Sequence, residues 1–482
     1  MFMSSERIRT GSGPACDRPW PLHSIAQTRA LEALPVVGGQ TLMQSAGLAL
    51  AKLTLALVPH AKTLWVACGP GNNGGDGLEA AAHLQRWGKQ VRVSLAHDPK
   101  QAPSDARQAW TAAQAAGVAC TDSAPLEYDA CLDAMFGIGT ARPLSGAYAD
   151  WAQRMNDSAA PTIAVDIPSG LHADTGSVTE LHVVAAYTLS LLTLKPGLFT
   201  GSGRDACGEI WFNNLGVVEQ GPAYALLQGP GAPTSRQHAS HKGSYGDVCI
   251  VGGTTGMTGA ALLAGRSALH GGAGRVFICP LGASAPSLDA AQPELMFRSF
   301  AELDCKYMTL VAGCGGGQAI REFLPQMLRE ARQLVLDADA LNRTAEDPVL
   351  QQLVAQRPSG STVMTPHPLE AARLLGCGSA HIQADRLAAA QALAQRFQCV
   401  VVLKGSGSII ATPGHIPHLN PTGNARLASA GTGDVLAGLI GARLASGQTA
   451  LHAACDSVYQ HGLAADHWPG PVLNASALCQ WK

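Results

Sequence analysis

The sequence lacks the features that mark several classes of protein. Charged residues make up 14% of its 482 residues and the net charge is −2, so nothing favours binding to nucleic acid or to an anionic membrane. Its thirteen cysteines include no CxxC pair and no Cys/His zinc spacing, which indicates free thiols in a reducing compartment. No run of about 18 apolar residues could span a bilayer, and residues 1–21 lack the apolar core of a signal peptide. We therefore expect a soluble, cytoplasmic protein with no nucleic-acid or membrane partner.

The length of the chain predicts two domains, because it exceeds what one hydrophobic core usually holds. Apolar strand-like runs alternate with helical patterns in both halves, which is typical of largely parallel sheets covered by helices. Glycine and proline cluster between residues 217 and 240 without periodicity, which indicates a linker. The expected order is a disordered tail over 1–20, a domain over 21–222, a linker over 223–240 and a domain over 241–482. Both domains are expected to be three-layer α/β/α folds, the first of them Rossmann-like.

A loop rich in glycine and asparagine follows the first clear strand. Residues 63–68 predict a buried strand, residues 69–77 read Gly-Pro-Gly-Asn-Asn-Gly-Gly-Asp-Gly, and a helix and a strand over 91–95 follow. This order is that of a βαβ unit. The spacing Gly69-x-Gly71-x-x-Gly74, with Asp98 beyond it, also matches the dinucleotide fingerprint. The amide and carboxylate oxygens of the loop suit ribose hydroxyls, amides or a monovalent cation better than a pyrophosphate, and a simple connecting turn is the alternative.

Acidic residues mark the ends of two further predicted strands. Asp133 lies near the end of the strand over 130–136, and Asp166 directly follows the strand over 162–165. Ligands of parallel sheets bind beyond the carboxyl ends of the strands, so we expect both acids and the asparagine loop to meet at one site. A buried acid is unfavourable unless it is paired, liganded or catalytic, although either acid alone could be a cap or a loop residue.

Four motifs, at residues 69–77, 133–146, 166–170 and 195–197, together resemble the NAD(P)H-hydrate epimerase family over about residues 20–220. The resemblance implies that Asp166 is the catalytic acid and also binds the substrate. It implies a potassium ion held by Asn73, Asp133 and Ser169. It also implies two loops that bind the substrate nucleotide, through Asn72, Asn73, Gly74, Gly75, Asp76, Gly137, Ile138, Gly139, Thr140, Ala141, Arg142 and Pro143.

The second half carries polar residues after its predicted strands. Asp337, His367 and Lys404 each follow a strand, and Lys404 opens the run Lys-Gly-Ser-Gly-Ser, which can bring an ammonium, N–H groups and hydroxyls to phosphate oxygens. Residues 430–438 read Ala-Gly-Thr-Gly-Asp-Val-Leu-Ala-Gly, a helix start at which N–H groups can bind an anion and Asp434 can accept a proton. Taken alone, Asp434 could be an ordinary first-turn acid and His367 a satisfied loop histidine. No Gly-x4-Gly-Lys-[Ser/Thr] loop is present, so this is not a P-loop protein.

These motifs resemble the ADP/ATP-dependent NAD(P)H-hydrate dehydratase family, which has a ribokinase-like fold, over about residues 235–470. The resemblance implies ADP or ATP with magnesium as cofactors, the nucleotide contacting Lys404, Gly405, Ser406, Gly407, Ser408 and Gly433. It implies that the hydrated substrate contacts Ala260, Gly317, His367 and Asp434, with Asp434 as the catalytic base. The sequence departs from the family pattern at Cys314, at Ser408, where threonine is common, and over residues 425–427.

The motifs together predict a bifunctional enzyme that repairs hydrated nicotinamide nucleotides, NADHX and NADPHX. The first domain would interconvert the R and S epimers, and the second would dehydrate the S epimer at the expense of ADP or ATP. One alternative is a ribokinase-like small-molecule kinase fused to a nucleotide-binding module, whose product would be a stable phosphorylated alcohol. The others are an inactive ligand-binding or scaffolding first domain and a nicotinamide dehydrogenase. We expect a homo-oligomer, although the sequence fixes neither its size nor the preferred nucleotide and hydrate.

Overall fold

The computed structural model describes residues 5–8, 18–34, 40–139, 143–178, 180–218, 221–231, 236–282 and 287–480. The chain divides into two compact units, one containing Trp20–Ala225 and the other containing Leu226–Lys482. Each unit has its own hydrophobic core. Within the described ranges, no helix combines the length and the apolar character that crossing a membrane requires.

The first unit is built on a parallel sheet with one antiparallel edge strand. Eight strands follow the order β1-β9-β8-β7-β6-β3-β4-β5; neighbours from β9 to β5 are parallel, and β1 is antiparallel to β9. The strands of this sheet are β1 (Glu6–Ile8), β3 (Thr63–Cys68), β4 (Gln90–Leu95), β5 (Ala119–Thr121), β6 (Ala130–Ala134), β7 (Thr162–Val165), β8 (Tyr187–Leu191) and β9 (Glu209–Asn213). A further short strand of this unit, β2 (Trp20–Leu22), is not part of this sheet.

The helices of the first unit begin where the sequence provides caps. Ser24 with Gln27, and Thr41 with Gln44, form the two capping boxes that their spacing predicts. In each box the hydroxyl accepts the backbone N–H three residues on, and the glutamine accepts the N–H of the cap residue. The helices are α1 (Ile25–Glu32), α2 (Leu42–Leu57), α3 (Asn72–Arg86), α4 (Ser104–Ala115), α5 (Ala147–Asp157) and α6 (Gly203–Ala206).

The second unit is also α/β, with a sheet that is parallel in its first part. From β13 through β12, β11, β14, β15 and β16 to β17, neighbouring strands are parallel; β17, β18 and β19 form an antiparallel ribbon, and β10 pairs with β19. The strands are β10 (Ala225–Leu227), β11 (Asp247–Gly252), β12 (Arg275–Pro280), β13 (Met296–Phe297), β14 (Thr309–Ala312), β15 (Gln333–Leu336), β16 (Thr362–Met364), β17 (Val400–Leu403), β18 (Ile409–Ala411) and β19 (His418–Leu419).

Helices cover this second sheet, and the α/β class predicted for both halves is confirmed. α7 and α14 pack closely, since a Cβ added at Gly438 would lie 2.0 Å from the Ala264 carbonyl oxygen. The helices are α7 (Thr258–His270), α8 (Ile320–Glu330), α9 (Ala338–Glu346), α10 (Pro348–Ala355), α11 (Pro368–Leu375), α12 (Ser379–Ala384), α13 (Arg386–Phe397), α14 (Thr432–Ala445), α15 (Ala450–Asp466) and α16 (Ala475–Gln480).

Two stretches that we predict to be irregular contain strands instead. Within the expected tail over 1–20, β1 pairs with β9 and buries Ile8, which is 2% exposed. Within the expected linker over 223–240, Leu226 and Leu227 of β10 pair with β19. Both predictions are wrong at these residues because a three-residue strand is too short to show a periodic pattern, and its pairing depends on a partner far away in sequence.

Candidate active sites

A cavity of about 540 Å³ opens at the carboxyl ends of the central strands of the first unit. The segments that follow β3, β6 and β7 line it, together with the end of β8 and parts of α1 and α2. This is the edge at which parallel α/β sheets bind ligands. The residues predicted for the first site that line this cavity are Asn72, Asn73, Asp76, Gly137, Ile138, Gly139 and Asp166.

Asp166 lies on the cavity wall with its carboxylate held by two donors. Its backbone φ is +68°, in the left-handed region that residues other than glycine rarely occupy. Its Oδ1 accepts a hydrogen bond from Lys195 Nζ and another from the Leu191 N–H at 3.1 Å. Lys195 is fully buried and also donates to the Leu191 carbonyl oxygen at 2.7 Å. The carboxylate is thus half of a buried ion pair in one fixed orientation, and backbone strain of this kind is concentrated at functional sites.

The start of α3 is fixed against the sheet by glycines. A Cβ added at Gly74 would lie 1.9 Å from the Gly69 carbonyl oxygen, and one added at Gly77 would lie 2.5 Å from the Ala134 Cβ. Both distances are far below van der Waals contact, so only glycine permits this approach. The close contact sets the position of the residues between them, which include Asp76.

Asp76 projects a second carboxyl group into the same cavity. Among the described residues, no side chain or N–H group forms a hydrogen bond or ion pair with it. Burial raises the pKa of Asp76 well above its usual range, and the nearby charges of Asp166 and Glu32 raise it further, against a smaller opposing effect of Lys195. Burial and the charge of Asp166 also raise the pKa of Glu32. The cavity therefore holds one carboxylate paired with a lysine and two carboxyl groups, Asp76 and Glu32, whose environment favours the protonated form; Asp105 also lines its wall.

Asp133 and Ser169 form a buried polar pair beneath the cavity. Asp133 accepts from the Ser169 hydroxyl at 2.6 Å, from the Ser169 N–H at 2.7 Å and from the Met135 N–H at 3.2 Å. Asp133 is fully buried, and burial raises its pKa to about 6 against the effect of these donors. No basic side chain in the described ranges forms an ion pair with it. The side-chain nitrogen of Asn73, at the cavity wall, is buried without an acceptor.

The second unit places another carboxylate at a helix start. Gly431, with φ +88°, precedes α14, and Asp434 occupies the first turn of that helix. Cys314 follows β14 and Asp337 follows β15. The Cys314 sulfur and the carboxylate oxygens of Asp337 and Asp434 lie within 4.8 Å of one another. Residues from three segments far apart in sequence therefore meet at one point.

Lys404 brings a positive charge to this point. Its Nζ donates to Asp337 Oδ1 at 2.6 Å, and the same oxygen accepts from the Thr365 hydroxyl at 2.8 Å. A Cβ added at Gly433 would lie 3.3 Å from Lys404 Nζ, so the ammonium lies directly beside the first turn of α14. An ammonium next to free helix N–H groups is an arrangement that binds phosphate.

The environment of Asp434 raises its pKa to about 7. Burial has the largest effect, and the charge of Asp337 adds to it. A hydrogen bond from the Cys314 thiol and the charge of Lys404 act in the opposite direction. A carboxyl group with a pKa close to physiological pH is well suited to general acid–base catalysis.

His367 caps α11 near this site. Its Nδ1 accepts from the Leu369 N–H at 3.1 Å and the Glu370 N–H at 3.4 Å, and its own N–H donates to Glu370 at 2.8 Å. The imidazole is 46% exposed, and burial and the charge of Lys404 lower its pKa. A neutral imidazole fixed by its Nδ1 leaves Nε2 available to a ligand, with Glu370 3.3 Å from it.

Comparison with known proteins shows what these two sites belong to. Residues 248–477 match the family described as NAD(P)H-hydrate dehydratase, and residues 39–197 match the family described as YjeF-related protein N-terminus. The chain is 36% identical to the bifunctional NAD(P)H-hydrate repair enzyme of Escherichia coli K12, over 88% of this chain and 84% of that enzyme. It is 34% identical to the enzyme of the same name from Coxiella burnetii, over 92% and 94% of the two chains.

The chain belongs to the family of bifunctional NAD(P)H-hydrate repair enzymes. The first unit is its NAD(P)H-hydrate epimerase part and the second its NAD(P)H-hydrate dehydratase part, as the motifs predict. Among solved structures, the ADP/ATP-dependent NAD(P)H-hydrate dehydratase from Bacillus subtilis, co-crystallised with ATP and Mg²⁺, is 32% identical. It covers 51% of this chain and 90% of its own chain, with a TM-score of 0.44.

Some residues predicted for the epimerase site do not line the cavity. Gly74 and Gly75 lie in the first turn of α3 and are buried against its neighbours; a Cβ on Gly75 would lie 2.5 Å from the Met43 side chain. Pro143 is exposed and is not part of the cavity wall. Thr140, Ala141 and Arg142 lie outside the described residues.

The remaining residues predicted for the dehydratase site have varied positions. Gly405 and Gly407 have φ of +140° and +63°, and the Ser408 hydroxyl donates to the Gly405 carbonyl oxygen at 3.3 Å, so the run after Lys404, including Ser406, forms a tight turn. The Gly317 N–H donates to Asp339 at 2.8 Å. Ala260 lies in α7 against the loop after β14, because a Cβ on Gly315 would lie 3.1 Å from the Ala260 Cβ.

Sequence reasoning missed several residues that shape the two sites. Lys195 is noted only as part of the motif over 195–197, although it is the ion-pair partner of Asp166. Glu32 gives no sequence signal beyond lying in a helix. Asp337 is visible as an acid after a strand, but its bond to Lys404 is not. The departure at Cys314 places a thiol against Asp434, whereas residues 425–427 form a short 3₁₀ helix capped by Asn424.

Proposed function

We propose that Asp166 is the base of the epimerase reaction. The substrate carries a hydroxyl on a carbon bonded to the ring nitrogen. Asp166 accepts the hydroxyl proton as the carbon–nitrogen bond opens to an aldehyde, and the reverse step closes the ring on the other face. The ion pair with Lys195 holds the carboxylate in one orientation at the cavity wall, which supports this assignment. The loops over 72–76 and 137–143 bind the nucleotide part of the substrate.

A potassium ion fits the residues beneath this cavity. Asp133 is a fully buried carboxylate without a basic partner among the described side chains, which is unfavourable unless a cation is bound. The side-chain amide of Asn73 has its nitrogen buried without an acceptor; the opposite amide orientation would offer an oxygen ligand instead. We infer that Asn73, Asp133 and Ser169 hold the ion, whose charge would stabilise an oxyanion on the substrate.

We propose that the dehydratase site uses ADP or ATP, with Lys404 and the turn over 405–408 at the phosphates. Asp434 removes the hydroxyl proton of the S epimer, and the oxygen attacks the terminal phosphoryl group. The ring nitrogen then expels phosphate, and loss of a proton from the neighbouring carbon restores the dihydronicotinamide. The contact of Lys404 with Asp337 beside the first turn of α14 is the observation that carries this proposal.

Magnesium fits this site as a partner of the nucleotide. It is usually held by phosphates, water and one or two carboxylates. Asp337 is 2% exposed, and its Oδ2 accepts no hydrogen bond from a described residue, so this oxygen is available to the hydrated ion. When bound, magnesium would neutralise the charge of the phosphates.

We infer a cytoplasmic location for this repair reaction. Every cysteine in the described ranges is a free thiol, and most are buried. Buried free thiols are typical of proteins that work in a reducing compartment.

The test is recovery of the reduced nicotinamide absorbance from a mixture of hydrate epimers with ADP or ATP. The unchanged chain should convert the whole mixture, and Asp166→Asn should convert only the S epimer. Asp434→Asn should abolish recovery but still interconvert the epimers. Glu322→Gln, which removes an exposed acid on α8, is the control and should behave as the unchanged chain. A stable phosphorylated alcohol as the final product would instead identify a small-molecule kinase.

A further inference from the structure

We propose that Asp76 is the general acid of the epimerase reaction and delivers a proton to the ring nitrogen while Asp166 removes one from the hydroxyl. This proposal rests on the assignment of Asp166 as the base, and adds a second catalytic residue from the wall of the same cavity. The family resemblance gives Asp76 only a role in nucleotide binding.

The chemistry of ring opening requires two proton transfers. As the hydroxyl proton moves to Asp166, the carbon–nitrogen bond breaks and its electron pair moves to nitrogen. That nitrogen is left as a strong base unless an acid protonates it in the same step. The products are an aldehyde and an N–H group. After the aldehyde rotates, the nitrogen attacks its other face and returns its proton to Asp76. Asp166 returns its proton to the oxygen, so both side chains recover their starting forms. No oxidant, reductant or co-reactant is needed.

Asp166 and Asp76 are in contrasting environments within the cavity. Asp166 forms an ion pair with Lys195 and accepts a hydrogen bond from a backbone N–H. Asp76 has neither a basic partner nor a hydrogen-bond donor among the described residues; burial and the charges of Asp166, Glu32 and Glu79 raise its pKa, and the charge of Lys195 lowers it. A carboxylate held by a lysine and a second carboxyl group kept protonated by its surroundings, both facing one substrate, are the usual arrangement of a catalytic base and acid.

The position of Asp76 is also fixed before substrate binds. It lies in α3 between two tightly packed glycines: Gly74 packs against Gly69, directly after β3, and Gly77 packs against Ala134 of β6. The helix start cannot move away from the sheet without losing this packing. A rigid backbone of this kind is what accurate placement of an acid requires.

Asp76→Asn tests the proposal, because asparagine keeps the size and hydrogen-bonding capacity of the protonated acid but cannot release a proton. The full chain is incubated with one epimer without adenine nucleotide, and formation of the other epimer is followed by chromatography. We expect kcat to fall by about 100- to 10,000-fold while KM changes by less than about threefold. The loss of activity at alkaline pH, where Asp76 becomes ionised, should disappear in the variant.

Asp122→Asn is the matched control, since it makes the same chemical change at an exposed position of the first unit outside the cavity. It should retain the kcat of the unchanged chain. A raised KM with unchanged kcat in Asp76→Asn would overturn the proposal and leave Asp76 a nucleotide-binding residue; unchanged values of both would also overturn it. If Asp76→Asn does not fold, the pH profile of the unchanged chain decides, because the proposal requires an alkaline decrease. Exchange that survives in Asp166→Asn would refute the base assignment separately.

Discussion

The dehydratase rate should depend on pH through the ionisation of Asp434, and the Cys314 thiol should lower the pH at which half of the maximal rate is reached. Asp434 acts as a base only when it is ionised, and its pKa is raised to about 7 by burial and by Asp337. Activity is therefore expected to increase with pH and to be lost as the pH falls through about 7. A single group with this pKa is about 9% ionised at pH 6 and about 91% at pH 8, so kcat/KM should increase about tenfold between them.

Replacing Cys314 by alanine removes the thiol hydrogen bond that lowers the pKa of Asp434. The groups that remain around Asp434 are Asp337, Asp339, Lys404 and, on α16, Cys479. A thiol is a weak donor, so we estimate the loss at about 1 kcal/mol, which raises the midpoint by about 0.5 to 1 pH unit. At pH 7 the variant should therefore have about two- to fivefold lower kcat/KM, whereas at pH 9 the two proteins should be nearly equal.

The assay measures kcat/KM for the S epimer with saturating ATP from pH 5.5 to 9. Cys314→Ser keeps a donor at the same position and should retain the midpoint of the unchanged chain. A fall in rate that is the same at every pH would mean that Cys314→Ala damages packing and not the ionisation of Asp434. A rate that does not change between pH 6 and 8 in the unchanged chain would refute the role of Asp434 as the base.

Three further predictions concern the cation, the lysine and the packing of glycines. The pKa of Asp133 is raised to about 6 from 3.8, so the first unit is more stable at low pH, and this stabilisation is lost as the pH rises through about 6. Potassium should therefore stabilise that unit by up to about 3 kcal/mol more at pH 8 than at pH 4. Hydrogen exchange in potassium, compared with choline at equal ionic strength, measures this difference. Lys404→Gln should raise KM for ATP at least about tenfold in a steady-state assay, because it removes the charge beside α14; an unchanged KM would place the phosphates elsewhere. Gly438→Ala should lower the free energy of unfolding of the second unit by about 2–4 kcal/mol in urea, because its Cβ would lie 2.0 Å from the Ala264 carbonyl oxygen. Gly259→Ala, with open space around it, is the control and should be neutral or slightly stabilising; equal effects of the two changes would contradict the packing argument.

The sequence predicts which strand ends carry polar residues, and the parallel sheet explains why that suffices to bring many of them together. Asp133 is the penultimate residue of β6 and Asp166 directly follows the adjacent strand β7, and the carboxyl ends of parallel strands lie at one edge. Asp337 and Lys404 meet for the same reason in the second sheet. The strand order need not be known in detail for this argument, because every parallel strand delivers its carboxyl end to the same edge.

Pairings between particular side chains could not be predicted in this way. The bond between Lys195 and Asp166 depends on a left-handed backbone at Asp166, which no residue type at that position signals. The contact of Cys314 with Asp434 joins the loop after β14 to the first turn of α14, about 120 residues further along the chain, and depends on how α14 packs against β14. Such contacts are set by distances of an ångström or less, whereas a sequence pattern specifies only which face or end of an element a residue occupies.

The two units use a lysine in different ways, and this difference suits their reactions. In the first, the lysine bonds to Asp166 itself, the residue proposed as the base. In the second, Lys404 bonds to Asp337, and Asp434 is buried beside the charge of Asp337, so that the pKa of Asp434 is about 7. Epimer exchange has almost no net driving force, whereas nucleotide consumption drives the dehydration in one direction. A modest fall in pH should therefore slow the step that drains the S epimer while exchange continues, and the hydrate that accumulates should be an equilibrated mixture and not the R epimer alone.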